Sequence, residues 1–287
     1  MRYQFTMDRP LRATGRGRVV AFIALVSLGV AGYLFAACGD RNPDRASAGE
    51  PVVSTPTPIP AASTPPSTRP DVPAPTTAPE FYTVGRTAWK VGDLARAESA
   101  FVQAIALDST HVKSRLYLSR ILIESGRAGD ALQHIEAVID SDTTSSEPLR
   151  LLGRAYQVLG RSDEAIVAYK RAIVRNSEDV WALNNLGSLY IKVGRSEDAI
   201  GPIARAIELE KNVAIFHNNL GTALEKSGHF TAAAEAYRAA LAVESTFGPA
   251  TANLARVEQL KEDPAAQPVD LVVLAKAFVD QISTWNQ

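Results

Sequence analysis

From residue 78 onward, apolar positions recur with helical rather than strand spacing, and they do so in pairs of runs. Leu183, Leu186, Leu189 and Tyr190 lie on one face of a first run, and Ala199, Ile203, Ala206 and Ile207 on one face of a second. Between the two runs stands Gly194, where a helix must stop and where a left-handed C-cap costs glycine little. The same pattern returns every 34 residues without insertion, in blocks 78–111, 112–145, 146–179, 180–213 and 214–247, with a partial sixth at 248–261. Each block predicts helix, turn, helix.

The fixed places within a block have a common steric cause. The eighth reads Gly85, Ser119, Gly153, Gly187, Gly221 and Ala255, and the twentieth is alanine throughout, from Ala97 to Ala233. The twenty-seventh is Ala104, Val138, Ala172, Ala206 and Ala240, and the twenty-fourth is large: Phe101, Ile135, Tyr169, Ile203 and Tyr237. Small residues let the two helices of a hairpin approach closely, and the large one fills the space beside them. One hairpin cannot bury its apolar face alone, so neighbouring blocks must stack into an all-α solenoid.

At its N-terminal end the chain follows a different pattern. Arg2, Arg9, Arg12, Arg16 and Arg18 precede an uncharged apolar run from Val19 to Ala37. A basic flank before such a run is the pattern of a membrane-inserting export segment. About twenty apolar residues suffice either for an uncleaved anchor or for a signal removed before Cys38. Both alternatives put the rest of the chain outside the cytoplasm. Between residues 39 and 77 the composition turns to proline, serine and threonine, with ten prolines from Pro43 to Pro75 and an eleventh at Pro79. Such a segment buries too little apolar surface to offset its ordering entropy and is predicted to be an extended tether. Near the other end, Gly201-Pro202 interrupts the second helix of block four and predicts a kink. A last helix over 268–287 carries one stripe of Leu271, Leu274, Ala275, Phe278, Ile282 and Trp285. That stripe is expected to cap the solenoid, or else to meet a partner or a second copy.

Composition narrows the functions. The net charge of −1 gives no support for nucleic-acid binding. The single cysteine, Cys38, excludes an intramolecular disulfide framework and any multi-cysteine metal site. His111, His134, His217 and His229 are scattered without ligand spacing. No phosphate loop, nucleophile elbow or acid–base constellation is present, so neither an enzyme nor a cofactor is expected.

Two family resemblances follow from these residues. Block four, VWALNNLGSLYIKVGRSEDAIGPIARAIELEKN, resembles a tetratricopeptide repeat over its full length, and the resemblance extends over residues 78–261. It implies a right-handed α-solenoid of about five helical hairpins, a partial sixth repeat and a C-terminal capping helix. The chain departs from the family in lacking the proline that usually closes a repeat, which is replaced by Ser109, Thr143, Ser177, Lys211 and Ser245. The second resemblance, Phe35-Ala36-Ala37-Cys38-Gly39, is to a bacterial lipobox, with Phe35 in place of the usual leucine. It implies lipidation of Cys38 and a tetratricopeptide lipoprotein of the cell envelope, periplasmic in a two-membrane cell.

In that family the first helix of each repeat lines a concave groove, and its second, fifth, sixth, ninth, twelfth and thirteenth places face inward. The sixth gives Asn185, Asn219 and Asn253, whose amides offer both donor and acceptor to a peptide backbone. At the ninth stand Arg86, Arg120, Arg154 and Arg256, suited to carboxylates. Trp181 and Trp89 also fall on inward places. The partner these imply is a protein or peptide, acidic in character, gripped by a membrane-tethered scaffold. An alternative role is accessory subunit of a separately encoded envelope glycosyltransferase or protease. The oligomeric state is not legible in the sequence.

Overall fold

The computed structural model describes residues 74–261, 263 and 267–286. The predicted export segment, Cys38 and nearly all of the predicted proline-rich tether lie outside these residues. Five hairpins follow in order: α1 Ala78–Lys90 with α2 Leu94–Leu107, α3 Val112–Glu124 with α4 Ala128–Ser141, α5 Glu147–Val158 with α6 Ser162–Arg175, α7 Val180–Lys192 with α8 Ser196–Leu209, and α9 Ala214–Lys226 with α10 Phe230–Val243. Then come α11 Gly248–Val257, α12 Leu271–Ile282 and a short 3₁₀ turn, Ser283–Asn286. Among the described residues there is no β-strand, and no helix is long and apolar enough to cross a membrane.

Each first helix ends where the sequence places its glycine. Gly92, Gly126, Gly160, Gly194 and Gly228 have φ between 75° and 86°. In the first repeat the Asp93 amide donates to the Ala88 carbonyl at 2.9 Å and the Gly92 amide to Trp89 at 3.1 Å, and the other four turns repeat this closure. Two otherwise orphaned carbonyls are thereby satisfied at every turn. The second helices end differently, in extended residues without a glycine. Asp108 accepts from the backbone amide and hydroxyl of Thr110 at 2.9 and 2.7 Å, and Asp142 does the same with Thr144. Asn176 accepts from the Glu178 amide at 3.0 Å. These side-chain turns redirect the backbone where the family's proline is missing.

Within a hairpin the close approach is tight. A Cβ placed on Gly85 would lie 2.6 Å from the Phe101 ring, and one on Gly153 or Gly221 would lie 2.5 Å from Tyr169 or Tyr237. Ser119 fits the eighth place of block two because its buried hydroxyl donates to the Arg115 carbonyl at 2.7 Å. First helices of successive repeats touch, α3 on α5, α5 on α7, α7 on α9 and α9 on α11, whereas successive second helices make no comparable contact. The odd-numbered helices therefore line the inner face.

The last helix does cover apolar surface, but not principally at the α11 end. It packs on α8, burying Ala275, Phe278 and Ile282, and the following turn reaches α6. Gly201 makes this contact possible: a Cβ there would meet the Phe278 Cβ at 2.9 Å and the Leu274 carbonyl at 3.1 Å. The helix α8 is continuous from Ser196 to Leu209 through Pro202, and Gly201 is the seat for α12.

Candidate functional site

The inner face divides into two chemically distinct halves. In the N-terminal half, Tyr117 of α3 stacks on Phe101 at 5.3 Å and meets Trp89 edge-on at 5.3 Å and Tyr82 at 5.9 Å. The guanidinium carbons of Arg86 and Arg120 lie 5.8 and 5.7 Å from the Tyr117 ring centre. The one-repeat offset of the ninth place brings both cations to a single aromatic ring, a cation–π arrangement. Arg120 also pairs with Glu147 of the next repeat. Arg154 stands half-buried at the same place of the third repeat. Trp89, expected on the groove, is buried in this cluster.

In the C-terminal half the asparagines are turned to a different use from the one expected. Asn219 donates through Nδ2 to Oδ1 of Asn184 at 3.0 Å, and Asn253 donates to Asn218 at 3.0 Å. Each bond joins the sixth place of one repeat to the fifth place of the repeat before it. These amides tie repeat to repeat, and Asn185 and Asn219 are only 5% and 7% exposed, too little to line an open ladder. Asn185 is the end of the series. Its fifth-place neighbour is Arg150, which offers donors only. The Asn185 Nδ2 is buried without a hydrogen-bond partner among the described residues, and Arg150 turns to Asp179 at 3.3 Å.

Two further predicted residues are partly engaged within the fold. Arg256 grips Glu225 of the preceding repeat with two bonds, at 2.8 and 2.7 Å. Burial alone would raise the Glu225 carboxyl, but bonds from Arg256 and the Tyr237 hydroxyl outweigh it and hold the group below the usual range. The Tyr237 hydroxyl is pushed up, first by burial and then by that carboxylate. Trp181 meets Phe216 of the next repeat edge-on at 5.1 Å while keeping part of its surface open. His134 lies 3.2 Å from Arg115, and burial together with that cation pushes its pKa down. Among the described residues no cluster of His, Cys, Asp and Glu is arranged to hold a metal ion.

Sequence reasoning missed Tyr117 and the fifth-place asparagines. The second had a signal, since Asn184-Asn185 and Asn218-Asn219 recur as pairs.

Family profiles match most of the repeat region. Two described as "Tetratricopeptide repeat" match residues 88–155 and, in a double match, 184–249 and 218–266; one described as "TPR repeat" matches 153–194. Among solved structures the chain is similar to TTC0263, a thermophilic TPR protein of Thermus thermophilus, with a TM-score of 0.55 and 18% identity over 64% of this chain and 100% of that one. It is similar to the APC/C hetero-tetramer Cut9-Hcn1 with a TM-score of 0.59 and 19% identity, over 70% of this chain and 42% of that one. A third similar structure is MamA protein, with a TM-score of 0.49 and 26% identity over 58% of this chain and 92% of that one. No curated protein matches the chain.

Proposed function

We propose, on the premise that this chain belongs to the tetratricopeptide-repeat family, that it is a scaffold whose inner groove holds an acidic segment of a partner protein at a membrane. Tetratricopeptide repeats mediate protein–protein interaction, and the groove supplies the chemistry for this one. The carrying observation is the pair of guanidiniums, Arg86 and Arg120, facing the single ring of Tyr117 on the inner surface. Two like charges beside one ring repel each other. A carboxylate from a partner relieves that repulsion and accepts from both, while Tyr117 offers it a flat apolar support. The ion-paired, asparagine-tied C-terminal half of the inner face then serves chiefly as rigid backing.

The membrane part of the proposal rests on sequence. A basic flank, an apolar run and Cys38 support lipidation, with residues 39–77 spanning the distance from bilayer to repeats. Each buried acyl CH₂ contributes about 0.8 kcal/mol, so several chains on one cysteine hold firmly. Such a protein works in the cell envelope, with its repeats outside the cytoplasm.

The test is capture of partners from solubilised membranes by the full chain and by Arg86→Glu. Charge reversal should abolish recovery of the major partner without lowering the melting temperature by more than a few degrees. Undiminished recovery would refute the groove reading. For the anchor, Cys38→Ser should abolish metabolic acyl labelling, and a retained label would remove the lipobox.

A further inference from the structure

On the outer surface, away from the groove, α6 carries a cleft of about 470 Å³. That lies within the range of about 300–1,000 Å³ of small-ligand sites. Its apolar surface is Val167 and Val174 of α6 with Leu149 of α5, its cations are Lys170, Arg171 and Arg175, and Trp285 completes the lining. Trp285 arrives only because α12 folds back across α8 and the turn after it reaches α6. The ring is set by an edge-on contact with Phe278 at 5.6 Å, and the Lys170 ammonium lies 4.6 Å from its centre.

The electrostatics of the cleft are one-sided. Among the described residues no carboxylate lines it. On the neighbouring surface, Arg161, Arg195 and Arg205 each meet an acid three residues on, Glu164, Asp198 and Glu208. Arg171 is exposed and has no ion-pair partner among the described residues. Arg175 is braced by the Ser145 carbonyl at 3.1 Å and the Asp142 carbonyl at 3.5 Å, both through Nη1, so its other nitrogens remain for a ligand. Burial and the nearby Arg195 hold the Lys170 pKa below that of an ordinary lysine. An anion entering the cleft is attracted by all three charges.

We propose that this cleft binds the C-terminal residue of a partner polypeptide, its carboxylate accepting from Arg171 and Arg175 and its apolar side chain lying against Val167, Val174 and Trp285. Carboxylate and apolar group must fit one small cleft together, and a chain-terminal apolar residue carries both within a single residue. An internal aspartate or glutamate brings the charge without the apolar group. A bilayer surface is too flat to fill a cleft walled by an indole. The site is independent of the inner groove and belongs to the outer helices.

The test uses the full chain in detergent and two acetylated peptides, Gly-Ser-Gly-Ser-Ala-Leu as the free acid and as the C-terminal amide, measured by calorimetry and tryptophan emission. The free acid should bind saturably and perturb emission, and the amide should bind about tenfold or more weakly, as expected for loss of a charge-assisted contact. Arg171→Glu should abolish binding and Arg171→Lys should retain part of it. Trp285→Leu should weaken binding in calorimetry and remove the emission change, while Arg86→Glu in the groove leaves both intact. Equal binding of acid and amide, or no binding at millimolar peptide, would overturn the proposal. So would binding to phosphatidylglycerol vesicles that Arg171→Glu removes in the absence of any peptide response, which would assign the cations to a lipid surface.

Discussion

Replacing Phe278 by alanine should release α12 from the solenoid while leaving the repeats folded. Phe278 is 6% exposed and sits where Gly201 opens the surface of α8. Truncating a buried phenylalanine costs about 3–5 kcal/mol when the surroundings cannot collapse. The docking of α12 has little more than that to lose. Its buried set is Ala275, Phe278 and Ile282, and the two large side chains contribute roughly 1.5–3 kcal/mol each before ordering entropy is subtracted. Asp270 caps the helix, accepting from the amides of Val272 and Val273 at 3.0 Å each, and adds about 1 kcal/mol. Once undocked, a helix of twelve residues is marginal in water and melts. Hydrogen exchange read by mass spectrometry should therefore show residues 271–286 losing nearly all protection, while the inner helices α5, α7 and α9 keep theirs. Near-native protection of α12 in Phe278→Ala would refute the claim that packing on α8 holds it. Loss of protection throughout would refute the claim that α12 is dispensable to the repeats.

Asn219→Ala removes the donor to Asn184 and leaves a buried carbonyl oxygen unpaired, so urea unfolding should show a loss of about 1–3 kcal/mol. Gly194→Ala forces a side chain into φ 82°, and a loss of about 1–2 kcal/mol is expected in the same assay. Glu225 has a depressed carboxyl, so its contribution to stability is present above the unfolded value of about 4.3 and lost as pH falls through the folded value. Glu225→Gln should accordingly melt below the wild type at neutral pH, and the two curves should converge in acid. A gap of unchanged size at low pH would show that the carboxylate charge is not what Arg256 and Tyr237 read.

The features legible in sequence were those imposed by a single steric or dihedral requirement. A glycine at φ near 80° and a glycine against a tyrosine ring each exclude nearly every other residue, so their spacing alone gave the hairpin and its phase. The docking of α12 was legible too, but only by comparing outward places. The twenty-second place is exposed as Ser99, Gln133, Val167 and Glu235, yet is Gly201, buried, in block four. Three residues on, the series Val102, Glu136, Lys170 and Arg238 is broken by buried Ala204. Small residues on a face that is otherwise large and polar mark a seat for another element. Gly201, read locally only as half of a helix-interrupting pair, reads across repeats as a seat for another helix.

The asparagines show why the groove was harder to read than the fold. Residues 34 apart stack, which favours reading each place as a column with one role. The amide bonds run instead along an offset of 35, from the sixth place to the fifth place of the neighbour, so a column read alone hides its partner. Two columns read together give a rule: an amide at the sixth place is satisfied internally when an acceptor precedes it at the fifth. Asn219 and Asn253 obey the rule, with Asn184 and Asn218 before them. Asn185 does not, because Arg150 carries no acceptor, and its Nδ2 is left buried without a partner. The boundary between the two halves of the inner face falls at this junction, between the third and fourth repeats. It follows that Arg150→Asn should extend the bonded series by one step, provided that Asp179, which also accepts from Ser146 at 2.7 Å, tolerates the loss of the guanidinium. The gain is at most about 1 kcal/mol for a net hydrogen bond, set against a buried ion pair whose removal on one side alone costs about 3–5 kcal/mol. The single substitution should therefore destabilise in urea, and the double change Arg150→Asn with Asp179→Asn should recover most of the loss. Recovery by Asp179→Asn combined with Arg150→Leu to the same extent would show that the amide at position 150 contributes nothing, and the offset rule would fail.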